Sequence, residues 1–429
     1  MKRIISIAIL MAVCLVGAVS CTEHSGLDPV RTKESPMIIS KVRTVEEAIS
    51  IACQAANMLD STSTRANRLV NINDIKVILN PHTRTAGGDF DSDTLIYVVN
   101  FAENSGFALV SANRSTESLL GITESGSYDG GISEIEGFND FMSLAKLYVG
   151  EAYAFDPIIP SFDIDSSIYC RTPLLQWSWG QQNHAGQYCP NGIAGCVPLA
   201  VAQILAYYRK PDVLPVYYSG TDTTYLPMNW NDIRSHKLYY LDNNGNESST
   251  YCNASDSAHN AIGLLCRQLG YKMYSIYHMN GSGTGTSADY VPSCFWDYGY
   301  TCGTFTSYNA GMSKPRLQNL HPLLFVGIHE DEQGTRAGHA WIVDGYEEIT
   351  YYRVTYTLND KGLYEATYTP TGATLYNHVN WGWEGRNNGY FLDGVFDITQ
   401  YHDFPSYPYP PTNIPYNFCH DVMFVEPYY

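Results

Sequence analysis

The chain of 429 residues has little positive charge. Its 25 lysines and arginines stand against 43 aspartates and glutamates, so the formal net charge is -18 at pH 7. Nucleic acids and anionic lipid surfaces attract basic proteins, and this balance therefore argues against both as partners. The surplus of acidic groups also favours solubility.

The motifs that bind nucleotides or metals are lacking as well. The glycine-rich stretch 280–287 has neither a P-loop lysine nor a G-x-G-x-x-G between a strand and a helix, so this loop is not expected to bind phosphate. Cys419 and His420 form one adjacent pair, with no second pair to complete a zinc site. We therefore expect no metal and no organic cofactor.

The apolar run Ile4 to Val19 is too short to be assigned as a membrane span. It follows Lys2 and Arg3, which is typical of a bacterial export signal. The signal predicts an exported protein, with residues 1–20 as a signal peptide.

Residues Ala18 to Cys21 resemble a lipoprotein processing box, although leucine is more usual than alanine three positions before the cysteine. We predict that Cys21 carries lipid and that residues 21–41 form a tether. The membrane would be a partner only through this anchor, at the outer membrane or the cell surface.

Cys196 stands where a glycine-rich turn, 191–195, enters an apolar helix. Pro198 suits a first helical turn, and the apolar residues that follow recur at helical spacing. A helix N-terminus and a neighbouring histidinium favour the thiolate form of a cysteine. The segment therefore predicts a displayed nucleophile, with a buried apolar cysteine at a helix start as the alternative.

A candidate base lies 143 residues further on, at His339, which fits the spacing of papain-like enzymes. It precedes an apolar strand, 340–343, predicted to end in a turn at Asp344 and Gly345. Asn380 follows, and its side-chain carbonyl could accept the histidine N–H. Upstream, the amide of Gln181, chosen over Gln182, could stabilise an oxyanion.

These contexts together resemble the streptopain family of papain-fold cysteine peptidases, including lipoprotein-type members from anaerobic Bacteroidetes-like bacteria. The resembling positions are Trp179, Gly180, Gln181, Cys189, Pro190, Gly195, Cys196, Val197, Ala202, Gln203, Ile204, Gly338, His339, Ala340, Asp344, Gly345, Asn380, Trp381, Gly382 and Trp383. The resemblance implies an α+β fold, with a papain-like peptidase domain at 171–429 preceded by a small α+β propeptide domain.

The resemblance also implies roles for individual residues. Cys196 would be the nucleophile, His339 the general base and acid, and Gln181 the oxyanion donor. Asn380 would orient the histidine, shielded by two indoles. The residues implied to line the substrate site are Gly338, Ser282, Trp381 and Trp383. Pro198, Leu199 and Ala337 depart from the family pattern, which bears on substrate preference.

A separate unit is predicted at 42–150. It has an amphipathic helix at 45–59 and a hairpin at 94–101 and 106–111, and two more helices are suggested, at 115–120 and 138–148. This pattern resembles the inhibitory propeptide of streptopain relatives. The alternative is a folding or cell-surface module with no inhibitory role.

Residues 151–170 are predicted to be an activation linker, because the proline-bearing segment 155–163 is extended and exposed in character. Beyond it, the sequence predicts a helix at 261–270 and strands at 320–327 and 421–426.

The sequence thus predicts a cysteine endopeptidase made as a zymogen. Its partners would be protein or peptide substrates and its own propeptide as an intramolecular inhibitor, and the mature enzyme could be released after propeptide cleavage. The same Cys, His and Asn set also serves acyltransferases and amidases. A non-catalytic surface-binding lipoprotein remains a further alternative.

Overall fold

A computed structural model describes residues 42–62, 72–80, 94–154, 164–217, 223–235, 254–277, 283–330, 336–358, 364–397, 423–425 and 427–428. The predicted signal peptide, the lipidation residue Cys21 and the tether lie outside these residues, as do Ser282 and segment 155–163. Within the described part of the chain, no helix is both long and apolar enough to cross a membrane.

The fold is α+β. Its helices are α1 (Val45–Thr62), α2 (Glu136–Glu151), α3 (Asn183–Gly186), α4 (Cys196–Tyr208), α5 (Trp230–Ile233), α6 (Asp256–Lys272), α7 (Val291–Asp297) and α8 (Ser313–Gln318). Its strands are β1 (Ile72–Leu79), β2 (Thr94–Phe101), β3 (Phe107–Ser111), β4 (Leu119–Thr123), β5 (Ile164–Arg171), β6 (Val213–Tyr217), β7 (Thr223–Pro227), β8 (Ile276–Tyr277), β9 (Thr284–Gly285), β10 (Thr301–Cys302), β11 (Thr306–Ser307), β12 (Leu323–Glu330), β13 (Arg336–Leu358), β14 (Tyr364–Asn380), β15 (Gly389–Leu392), β16 (Met423–Val425) and β17 (Pro427–Tyr428).

One 11-stranded antiparallel sheet runs through the molecule, in the order β1-β2-β3-β4-β15-β14-β13-β12-β16-β11, with β5 paired to β13. The N-terminal unit contributes β1 to β4. Its last strand joins the C-terminal unit directly, because Ile122 of β4 pairs with Tyr390 of β15. The two units therefore share a continuous sheet.

Most predicted elements are confirmed. The helices predicted at 45–59, 138–148 and 261–270 are α1, α2 and α6, and the predicted hairpin is β2 and β3. The strands predicted at 320–327 and 421–426 are β12 and β16. Residues 164–170 of the predicted linker belong to β5, which pairs with β13 along its length.

Two local predictions are wrong. The segment 115–120 forms no helix; it leads into β4, whose residues pair with both β3 and β15. Asp344 and Gly345 do not end a strand, because β13 continues to Leu358 and only shifts register at this point. A bulge of this kind re-aims side chains without breaking the strand.

The bulge ties the sheet to the segment that leads to Gln181. One carboxylate oxygen of Asp344, Oδ1, lies 2.6 Å from Nδ1 of His378, and Oδ2 accepts the backbone N–H of Leu175 at 2.9 Å. The backbone carbonyl of Asp344 accepts the N–H of Leu174. These bonds hold the approach to Gln181 against the sheet.

Two apolar cores flank the sheet. One packs α4, α6 and α7 against its C-terminal part. The other is shared between the two units, and its largest side chains include Phe107, Phe138, Phe141, Trp341, Trp381, Phe391 and Phe396. Because the first three of these belong to the N-terminal unit, the two units are packed together through one apolar core.

Candidate active site

Cys196 is the first residue of α4, as predicted. The residue before it, Gly195, has a φ of +91° and a ψ of 151°, a conformation that strains any residue with a Cβ. The helix behind Cys196 is buried from Val197 to Ala206. A rigid, buried helix thus carries a half-buried thiol at its N-terminus, where the helix dipole favours negative charge.

The turn before Cys196 is braced by the residues around β9. The hydroxyl of Thr284 donates to the carbonyl of Ile193 at 2.7 Å, and the amide of Asn191 lies 3.1 Å from the same hydroxyl. A Cβ at Gly195 would lie 3.1 Å from the backbone oxygen of Thr284. The described end of the 280–287 loop therefore borders the nucleophile turn, although Ser282 lies outside the described residues.

His339 is mounted on β13, opposite Gly327 of β12, and is 1% exposed. Its Nε2 atom lies 3.1 Å from the backbone carbonyl oxygen of Trp381. A carbonyl can only accept, so Nε2 carries the hydrogen and donates it. The other nitrogen, Nδ1, is then the atom that can exchange a proton with a thiol. Gly338, the preceding residue, is exposed.

Cys196 lies beside this histidine. Burial lowers the pKa of His339, but the Cys196 thiolate, the Glu136 carboxylate and the Trp381 carbonyl outweigh burial and raise the pKa to about 10. The protonated form of His339 is thus favoured by its neighbours despite its burial.

The predicted contact between Asn380 and His339 is not what the structure shows. The Asn380 amide donates to Oε1 of Gln203 at 3.3 Å, and its oxygen accepts the backbone N–H of Gly382 at 3.0 Å. Asn380 thereby shapes the turn that presents the Trp381 carbonyl. The backbone carbonyl of Trp381 therefore orients the histidine directly, and Asn380 affects the histidine only by holding that backbone in place.

We expect Asn380→Ala to retain about a tenth or more of the wild-type kcat/KM. The variant removes neutral hydrogen bonds, each contributing about 1 kcal/mol, while the carbonyl that orients His339 remains. Steady-state kinetics on a peptide substrate would measure this. A loss of a hundredfold or more would show that the carboxamide itself contacts the imidazole during turnover.

Gln181 lies in a loop bound to the same site. Its backbone carbonyl accepts the N–H of Ala194 at 2.8 Å, two residues before Cys196. The adjoining Gly180 pairs with Trp383 in an isolated bridge. The structure thus brings the loops of Gln181, Cys196 and Trp383 together, with the Gln181 side chain half-buried.

The two predicted tryptophans differ in their surroundings. Trp381 is fully buried, and its indole N–H donates to the carbonyl of Asn387 at 3.0 Å. Its ring packs 5.4 Å from that of Trp341, beside His339. Trp383 is half-buried, with the guanidinium of Arg386 over its ring. Trp381 therefore packs on the buried side of the histidine.

The start of α2 lies against His339. Oε2 of Glu136 is 3.4 Å from Nδ1 of His339. A Cβ at Gly137 would lie 2.7 Å from Cδ2 of His339 and 2.8 Å from Cε3 of Trp381, closer than atoms can approach. Only glycine permits this helix to sit so close, and the N-terminal unit thereby covers the imidazole.

Apolar side chains of α2 anchor this contact. Phe138 packs edge-on against Trp381 and Phe391, with ring centroids 6.4 and 6.2 Å apart, and Phe141 packs 4.8 Å from Phe391 and 5.4 Å from Phe396. Neither Glu136 nor Gly137 is predicted from the sequence to contact the site. Both residues precede the helix predicted at 138–148, and the close contact of Gly137 with His339 and Trp381 is a tertiary feature that no local pattern marks.

No group of three or more His, Cys, Asp or Glu side chains in the described part of the chain could hold a metal ion. The reactive groups of the site are the Cys196 thiol at the start of α4 and the His339 imidazole on β13, and the N-terminal unit covers the imidazole.

This fold and site define a cysteine peptidase preceded by its inhibitor domain. Residues 177–391 match the peptidase C10 family, and residues 38–149 match the Spi protease inhibitor. The chain belongs to the peptidase C10 family. The predicted streptopain resemblance, the α+β fold class and the cysteine endopeptidase activity are confirmed.

Relatives span most of the chain. Streptopain of Streptococcus pyogenes serotype M1 is 25% identical over 343 residues, which cover 72% of this chain and 76% of that protein. The thiol protease/hemagglutinin PrtT of Porphyromonas gingivalis is 24% identical over 340 residues, or 70% of this chain and 34% of that protein. A structure of a prointerpain A fragment from Prevotella intermedia aligns with a TM-score of 0.49 and 19% identity, covering 82% of this chain and 98% of that one.

Proposed function

We propose that Cys196 and His339 are the catalytic pair of this zymogen and that α2 holds the pair inactive. The observation that carries the proposal is the position of Cys196 at a helix N-terminus beside a buried histidine whose Nε2 is fixed on the Trp381 carbonyl. Nδ1 is then the nitrogen that would exchange a proton with the Cys196 thiol.

In the proposed reaction, the Cys196 thiolate attacks the peptide carbonyl and forms a C–S bond. The carbonyl oxygen becomes an oxyanion, which the Cys196 backbone N–H and the Gln181 amide would stabilise. His339 then gives its Nδ1 proton to the leaving amine as the C–N bond breaks. Water, deprotonated by His339, hydrolyses the thioester and regenerates the thiol pair.

Inhibition follows from the contact between α2 and the site. Glu136 lies at Nδ1 of His339, and Gly137 lies against its ring, so the proton-transfer atom faces the propeptide. A substrate that approached this side would meet α2. Cleavage within 151–170 would break the covalent link and allow the units to separate. A cut at the end of this range would leave residues 164–170 on the N-terminal piece, which would have to give up their pairing with β13 to depart.

The N-terminal sequence supports a proposal for the cellular location of the enzyme. We propose export by the 1–20 signal, lipid on Cys21 and a surface or outer-membrane location, with release of the mature enzyme after cleavage. The proposed substrates are proteins or peptides, with an apolar residue preferred two positions before the scissile bond. Gly338, Ser282 and Trp383 are proposed to border that site.

The proposal is tested by the intact mass of the chain lacking residues 1–21, followed over time in reductant beside its Cys196→Ala counterpart. We expect the wild type alone to lose an N-terminal piece of about 130 to 150 residues, because exposed linkers are cleaved most readily. Equal processing of both chains would remove the nucleophile assignment. An added amine joined to the product would indicate acyl transfer instead of hydrolysis.

A further inference from the structure

A second concave site lies at the far end of α4 from Cys196. It is a cleft of about 210 Å³. The lining residues are Gln176, Trp177, Arg209, Asn231, Arg234 and Ser235. Helix α4 spans about 20 Å at 1.5 Å per residue, so the cleft is remote from the thiol.

The cleft is positively charged in a chain with a net charge of -18. The guanidinium of Arg234 stacks 4.8 Å over the Trp177 ring. Burial lowers the pKa of Arg234, and the neighbouring charge of Arg209 lowers it further. Arg209 is exposed and Arg234 is half-buried, so their like charges repel, and an anion bound beside both would relieve that repulsion.

No described carboxylate supplies that anion. Neither Arg209 nor Arg234 forms an ion pair within the described residues. The acidic residue nearest to Arg234 in sequence is Asp232, and its carboxylate accepts a hydrogen bond from the hydroxyl of Ser255 at 2.6 Å. Asp212, near Arg209 in sequence, pairs with Lys210 at 3.1 Å.

A buried donor in the cleft wall also lacks an acceptor. Trp177 is 2% exposed, and its indole Nε1 has no hydrogen-bond partner in the described structure. Buried N–H groups are nearly always paired, and each exception calls for an explanation. The amides of Asn231 and Gln176 bring further donors to the same cleft, whereas the hydroxyl of Ser235 already donates to the backbone carbonyl of Asp232 at 2.6 Å.

We propose that this cleft binds a phosphoryl group, as inorganic phosphate or as a phosphate monoester on a larger molecule. Two guanidiniums match the charge of about -1.5 to -2 that a phosphoryl group carries at pH 7. Arginine forks donate to such oxygens in parallel pairs, and several neutral donors can satisfy the remaining oxygens. The site is assembled by tertiary contacts between the 176–177 segment, the end of α4 and α5, so no sequence motif marks it.

The test uses the full chain carrying Cys196→Ala, which prevents self-processing, and measures inorganic phosphate binding by calorimetry and thermal shift at constant ionic strength. We expect Arg234→Gln and Arg209→Gln each to weaken phosphate binding by about tenfold or more, since each removes a charge-assisted hydrogen-bond donor. Trp177→Phe, which keeps the ring but removes the N–H, should weaken it less.

Arg267→Gln is the matched control, because Arg267 also lies over an aromatic ring, that of Tyr277 at 5.4 Å, and is outside the cleft. It should leave phosphate binding unchanged. For each variant, the melting temperature in phosphate is compared with that of the same variant in chloride, so a change in its basal stability does not affect the measured shift. Absence of phosphate binding by the parent chain, equal binding by acetate, or equal binding by the Arg209 and Arg234 variants would overturn the proposal.

The source of the phosphoryl group is settled by a second arm. Vesicles of phosphatidylcholine with or without phosphatidic acid are sedimented with the same chains. Binding that needs phosphatidic acid and is lost in Arg234→Gln supports entry of a lipid headgroup. Phosphate binding without vesicle binding supports a soluble phosphate ligand.

Discussion

His339→Ala should reduce kcat/KM on a peptide substrate by about 10⁴-fold or more. The variant removes both the cation that stabilises the Cys196 thiolate and the acid that protonates the leaving amine, and loss of a member of a nucleophile–base pair has effects of this order. His339 is buried and its Nε2 donates to the Trp381 carbonyl, and the Glu136 carboxylate at Nδ1 belongs to the N-terminal unit that the mature enzyme would lack.

The measurement needs mature protein, and the variant would not process itself. Immobilised wild-type enzyme can cut the variant zymogen and be removed before the assay. His321→Ala is the control, because His321 contacts Tyr208 at 2.9 Å and lies away from the thiol. It should keep near wild-type kcat/KM. If His339→Ala kept a tenth of the activity, His339 would not be the general base.

Gly137→Ala should weaken the hold of the propeptide on the site and speed activation by about 5- to 100-fold. The new methyl group would lie 2.7 Å from His339 and 2.8 Å from Trp381, and overpacking of this kind costs about 1 to 3 kcal/mol. Alanine favours a helix over glycine, so α2 itself should be no less stable. The rate of self-processing and the rate of Cys196 alkylation in the intact chain measure the effect.

Gly150→Ala on the same helix provides the matched control. A Cβ there would meet only Cδ2 of Leu95, at 3.9 Å, which is an ordinary contact. This variant should activate at the wild-type rate or slightly more slowly. Equal rates for Gly137→Ala, Gly150→Ala and wild type would mean that α2 does not restrain the histidine, and the inhibitory role assigned to it would fail.

Much of the site could be predicted because its residues lie in strongly patterned segments. Cys196 follows a glycine that the turn requires and precedes a run of apolar residues, and His339 precedes a buried strand. Such local patterns specify a helix start and a strand without knowledge of the rest of the chain. The resemblance to a family then linked the two segments.

The remaining features depend on contacts that no local pattern encodes. The acceptor for His339 is a backbone carbonyl, which every residue has, so the side chain of Asn380 was the better candidate from sequence alone. The bulge at Asp344 resembles a turn until its partner His378 is known. Residues 115–120 are too few to show a period, and they lead into β4, whose pairing with β3 and β15 is decided by tertiary structure.

The pairing of β4 with β15 gives the precursor a protection that the mature enzyme loses. When β4 leaves, Gly389, Tyr390 and Phe391 lose their partners, and an interior strand becomes an edge with bare N–H and C=O groups. Phe391 also loses the aromatic cover of Phe138 and Phe141. Unpaired edges beside apolar surface recruit other strands, so we expect a mature enzyme that has lost β4 to aggregate more readily than its precursor.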